Sequence, residues 1–118
     1  MKITIVGLGY VGLSNGLLLS KHNEVVALDI CKKKVTQLNQ KKSPIEDEQI
    51  IDYLETQKLD IRATLDNAEA YENSDFILIC TPTDYDPITN RFDTRSIEVV
   101  LDESLKFNKR ATIVIKST

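Results

Sequence analysis

A chain of 118 residues, 42% hydrophobic and 28% charged, can bury one core, is short for two domains of ordinary size, and lacks the composition of a disordered protein. Its net charge of -3, with Lys and Arg scattered along the sequence, supplies no basic face for nucleic acid or an anionic membrane surface. No stretch approaches the roughly 18 apolar residues of a membrane span, and MKITIVG does not read as a secretory leader, so a cytoplasmic protein is expected.

Lys2 to Val6 is a β-branched run closed by glycine, which predicts a buried strand. Gly12 to Lys21 predicts a helix, with Leu13 and Leu17 four apart on one face and Asn23 placed to cap its end. EVVAL, Glu24 to Leu28, predicts a second strand. From Cys31 to Lys42, Val35 and Leu38 stand at helical spacing among polar side chains, as in a solvent-facing helix with a narrow apolar stripe. Ser43-Pro44-Ile45-Glu46 has the form of a capping box and predicts a helix start, with Ile50, Ile51 and Leu54 as its buried face.

Asp60 to Ala63 is a short strand candidate, Asp66 to Glu72 a short helix, and FILIC, Phe76 to Cys80, a buried strand stopped by Pro82. Thr83 to Asp93 reads as a polar loop with turn signals at Asp86-Pro87 and Asn90. A helix from Thr94 to Phe107, with Ile97, Val100, Leu101 and Leu105 on one side, leads to a last buried strand over Ala111 to Ile115. Continuous apolar strands separated by amphipathic helices imply a parallel sheet covered on both faces, a Rossmann-type doubly wound α/β fold in three αβα layers. No helix follows the final strand, so residues 1–118 are expected to be one domain of a longer protein.

In such a fold the loop after the first strand opens onto a helix N-terminus that attracts an anion. In VGLGYVG, Gly7 permits the tight turn, Gly9 lets a pyrophosphate approach the backbone, and Gly12 lets helix and strand pack closely. Gly16, one turn later, is expected to extend that close contact. Asp29 ends the second strand twenty residues after Gly9, the spacing of a carboxylate that hydrogen-bonds an adenosine ribose. That carboxylate favours NAD over NADP, whereas Lys32, Lys33 and Lys34 beside it leave room for a 2′-phosphate. Three lysines in a first helical turn oppose the dipole, so at least one is a candidate ligand contact and the others a solvated face.

Cys31 and Cys80 have no metal-ligand spacing and read as reduced thiols. His22, near the end of the first helix, suits the dipole and has no ligand-type neighbours, so no metal is expected. Asp84 and Asp86, flanked by Pro87, read as turn formers rather than as a catalytic pair.

GLGYVGL, VVALD, SPIEDEQI, CTPTDYDPITNRFDT and the terminal IKST, in this order and at these separations, resemble the N-terminal third of the UDP-glucose 6-dehydrogenase family. TPTDYDP restricts the match far more than the glycines do. The resemblance implies an NAD-binding Rossmann domain over residues 1–118, followed in the whole enzyme by a central helix that makes the dimer contacts and a C-terminal sugar-nucleotide domain. It implies two successive oxidations at C6 of UDP-glucose, giving UDP-glucuronate and two NADH, through a thioester on a cysteine downstream of this chain. These 118 residues alone are expected to be inactive.

Residue by residue, Gly7, Gly9, Tyr10, Val11 and Gly12 resemble the family's pyrophosphate loop, Asp29 its ribose carboxylate and Lys34 the basic position directed at the adenosine side. Thr83 resembles the threonine that lines the cofactor site, and Thr118 the one near the nicotinamide and a catalytic water, where it assists catalysis. Two alternatives stand beside this reading. One is a dehydrogenase of UDP-N-acetylmannosamine or GDP-mannose; the other is a non-catalytic nucleotide-sensing module, which lacks the DYDPITNRFDT loop.

Overall fold

Five parallel strands lie side by side in the order β3-β2-β1-β4-β7: β1 (Lys2–Val6), β2 (Glu24–Leu28), β3 (Ile61–Thr64), β4 (Phe76–Ile79) and β7 (Thr112–Ile115). The computed structural model describes residues 1–81, 84–86, 91–93 and 95–116, with the backbone alone at 84–86, 91–93, 95 and 96. The chain order runs from the centre to one edge, returns to the centre and then runs to the other edge. A crevice therefore opens at the carboxyl ends of β1 and β4, where the direction reverses.

Side chains alternate across the sheet, and each face buries its own cluster. Ile3, Ile5, Val25, Ala27 and Leu78 face α1 (Tyr10–Leu19), α2 (Lys32–Asn39) and α3 (Glu48–Thr56). Val6, Val26, Leu28, Ile77 and Ile79 face α4 (Asn67–Tyr71) and α5 (Arg95–Phe107). Burial on both faces explains why β1, β2 and β4 are apolar without a break. The exception is Thr4, fully buried at the centre of β1, whose hydroxyl donates to Ala70 O and lies against the Ser74 hydroxyl.

Both edges depart from the expected pattern. At the β3 edge, the Asn39 carboxamide accepts from Ala63 N at 2.8 Å and donates to Ala63 O at 2.9 Å, so one side chain replaces a missing strand. At the other edge β7 is not a buried strand: Thr112 and Ile115 are exposed, because one flank has no neighbour among the described residues.

Several element boundaries also shift. α1 starts at Tyr10, two residues before the expected start, and its axial hydrogen bonds end at Ser20. Asn23 still closes it, donating to Leu19 O from both its backbone and its side chain. The expected capping box at Ser43 does not form. That hydroxyl closes a local turn on Ile45, and α3 begins later, where the Asp47 carboxylate accepts from Ile50 N at 3.1 Å. Ile50 and Leu54 are the buried face of α3, whereas Ile51 is 41% exposed; Leu105 of α5 likewise faces outward. The expected polar loop over Thr83 to Asp93 contains an antiparallel pair, β5 (Asp84–Asp86) with β6 (Arg91–Asp93). Each run holds one aromatic between two polar residues, an alternation too short to be read as a strand.

Candidate functional site

β1 delivers the chain into the crevice, and Gly7 N continues the ladder by donating to Leu28 O at 2.8 Å. Gly7 has φ +100, a region that side-chain-bearing residues rarely occupy, and a Cβ there would lie 3.1 Å from the Cys80 carbonyl. A Cβ on Gly12 would sit 1.9 Å from Gly7 O. The fold therefore requires both glycines. Gly9 is different: a Cβ there would meet nothing within 4 Å, so the protein's own packing does not demand glycine. Gly9 is also the N-cap of α1 and offers no side-chain acceptor, so the first-turn amides at the edge of the crevice have no side-chain cap.

Asp29 sits at the end of β2 and braces two segments. Its carboxylate accepts from Leu8 N at 2.7 Å and from Cys31 N at 2.8 Å, tying the glycine loop to the start of α2. Each oxygen uses one bond, and an ionised carboxylate offers about four acceptor sites. Capacity for two hydroxyl donors remains, at a fixed orientation.

A cavity of about 310 Å³ at the carboxyl edge is lined by Gly7, Gly9, Tyr10, Val11, Asp29 and Lys34, with Cys80 and Lys116 on its far side. Gly12 is buried in α1 and does not line it. Lys32 and Lys33 are exposed to solvent, so only Lys34 of the lysine run reaches the cavity. Burial pushes the Cys80 thiol up, and the neighbouring Lys116 charge opposes that rise. A second, more apolar cleft of about 600 Å³ adjoins the other side of Asp29, walled by Val6, Leu28, Ile30, Leu65 and Val99. Tyr71, buried at its base, has a hydroxyl without a hydrogen-bond partner among the described residues, and burial pushes its pKa up.

Thr83 and Thr118, both expected near the cofactor, lie outside the described residues, as do the side chains of Asp84 and Asp86. Both cysteines are free thiols, and no metal-binding cluster of His, Cys, Asp or Glu occurs among the described residues. His22 is exposed in the turn after α1. Gly16 does not extend the close contact made by Gly12: a Cβ there would meet Ile5 and Ile61 at 3.4 Å, ordinary packing distance. Lys116 lies within the IKST string but was given no role by sequence, because its place beside the loop depends on strand register. No helix among the described residues is long and apolar enough to cross a membrane.

Residues 1–118 match the profile of the UDP-glucose/GDP-mannose dehydrogenase family, NAD binding domain. The UDP-glucose 6-dehydrogenase of Streptococcus pneumoniae is 48% identical over 118 residues, which is 100% of this chain and 30% of that protein. The enzyme of the same name from Campylobacter jejuni is 50% identical over 120 residues, with the same coverage. Among solved structures, a ternary complex of GDP-mannose dehydrogenase from Pseudomonas aeruginosa superposes with a TM-score of 0.87 at 32% identity, covering 100% of this chain and 28% of that one. The chain thus spans about 30% of the length of the curated relatives it matches.

Proposed function

The chain belongs to the UDP-glucose/GDP-mannose dehydrogenase family as its NAD-binding domain, and from this premise we propose that it serves an enzyme oxidising UDP-glucose to UDP-glucuronate with two NAD. Bound NAD supplies the hydride acceptor. The chain's own residues bind and orient it. In this reading the first-turn amides at Tyr10 and Val11, and the open backbone at Gly9, receive the diphosphate. Asp29, held by Leu8 N and Cys31 N, accepts from the adenosine ribose hydroxyls, and its charge disfavours a 2′-phosphate. Lys34 faces the adenosine side, and the apolar cleft beyond Asp29 offers the adenine ring two greasy walls. Thr83 and Thr118 remain proposed contacts by resemblance, Thr118 with an assisting role near the nicotinamide.

The observation that carries this reading is Gly9, where the fold leaves open space beside uncapped amides and a braced carboxylate. Identity of 48–50% to the UDP-glucose 6-dehydrogenases of Streptococcus pneumoniae and Campylobacter jejuni exceeds the 33–41% to GDP-mannose 6-dehydrogenases and favours UDP-glucose as the substrate, while a UDP-glucose 6-dehydrogenase of Rickettsia bellii is 35% identical. The intact gene product, assayed with NAD and a panel of nucleotide sugars, is expected to release two NADH per UDP-glucose. Faster turnover of GDP-mannose or UDP-N-acetylmannosamine would reassign the substrate, and NAD binding without turnover of any sugar would point to a sensor.

A further inference from the structure

The carboxyl ends of three adjacent strands are in register. Val6 pairs with Ile79 and Ile79 with Ile115, so Gly7, Cys80 and Lys116 follow one another across the sheet. Cys80 N donates to Val6 O and Lys116 N to Ile79 O, both at 2.8 Å, which carries this register one residue past each strand. Two strand spacings put the Lys116 backbone roughly 10 Å from Gly7. The direction of its side chain follows from alternation. Ile113 packs into the cluster under α4 and α5, while Val114 packs into the one under α1. Lys116, two residues after Val114, points to the α1 side, as Cys80 does, and both line the cavity of the glycine loop.

Charge gives this placement a consequence. A dinucleotide diphosphate brings two negative charges, the start of α1 supplies the equivalent of about half a positive charge, and Asp29 adds a further negative one. The cations lining the cavity, among the described residues, are Lys34 and Lys116. Lys34 enters from the β2 side, beside Asp29. Lys116 enters from the opposite side, beyond β4, where its charge already acts on the Cys80 thiol.

Building on the nucleotide reading above, we propose that Lys116 is a second cation for the bound dinucleotide, positioned on its diphosphate from the side opposite Lys34. Its long flexible stem and compact ammonium suit a phosphate contact of this kind, a point charge rather than a bidentate fork. It is a binding residue for the cofactor and takes no part in proton or hydride transfer.

Calorimetric titration of the intact gene product, as wild type, Lys116→Gln and Lys116→Arg, with NAD, ADP-ribose and AMP at fixed salt tests this. Lys116→Gln is expected to weaken NAD and ADP-ribose about tenfold, a loss of about 1.4 kcal/mol, and to leave AMP within twofold. Lys116→Arg should recover most of the loss, and the salt dependence of ADP-ribose binding should become shallower in the Gln variant. The Lys116 side chain is exposed, so thermal unfolding of the variants should match wild type. ADP-ribose affinity within twofold of wild type would overturn the proposal, as would an equal loss for AMP. If the wild type bound neither NAD nor ADP-ribose, the nucleotide reading would fall first, and Lys116 with it.

Discussion

Beyond Gly7 with its positive φ, the three other glycines in the first sixteen residues occupy three different physical situations. Gly12 faces Gly7 O at a distance no Cβ can tolerate, Gly16 has ordinary room, and Gly9 has open space. Alanine at each position should therefore give separate outcomes. Gly12→Ala is expected to cost more than about 3 kcal/mol or to prevent folding, since overpacking against backbone cannot be relieved by a rotamer change. Gly16→Ala should be neutral or stabilising by up to about 1 kcal/mol through helix propensity. Gly9→Ala should fold as well as wild type yet lose NAD affinity at least tenfold. Urea unfolding and NAD titration of the three variants check all of this; a Gly9→Ala variant that keeps full affinity would remove the argument for a ligand at that position. The roles of Gly7 and Gly12 were legible in the sequence because a strand-glycine-helix pattern admits few geometries. Gly16 was misread because spacing on a helix face says nothing of what packs opposite.

At the scale of elements, β1 and β2 have the boundaries the sequence implied, because burial makes them apolar apart from Thr4 and their first residues, and glycine or polar residues end them abruptly. Helix starts were less legible. Ser43 and Asp47 are both competent caps, and the choice went to the carboxylate that reaches Ile50 N while the serine hydroxyl closed a turn on Ile45. The same competition between local acceptors recurs wherever polar residues cluster before a helix. Nor did the sequence disclose that Asn39 completes the β3 edge, a contact across 24 residues. Its loss should be felt more than that of the cap. Asn39→Ala is expected to cost about 2 kcal/mol by leaving the Ala63 amide and carbonyl unpaired, and Asp47→Ala about 1 kcal/mol, both read from the shift in urea midpoint at constant slope. Equal small effects would show that water replaces Asn39 at that edge without penalty.

For the molecule as a whole, the reversal of strand order at β1 and β4 gathers groups that are far apart in sequence around one crevice: the loop at 7–12, Asp29 and Lys34 from the second unit, and Cys80 and Lys116 from the ends of β4 and β7. Sequence reached the first two through motif and spacing, and it missed Lys116 because only register brings that residue there. The Asp29 brace was equally hidden: an acidic residue at a strand end announces a ribose contact, but not that its oxygens already fasten the glycine loop to α2. The central claim is that one dinucleotide lies across this crevice, diphosphate on the glycine loop and adenosine ribose on Asp29. Titrating the ¹⁵N-labelled chain with NAD while following its amide resonances tests it most directly. The largest shifts are expected at Gly7 to Gly12 and at Asp29 to Lys34; shifts confined to the groove between α1 and α3, with the loop amides unmoved at saturation, would contradict it.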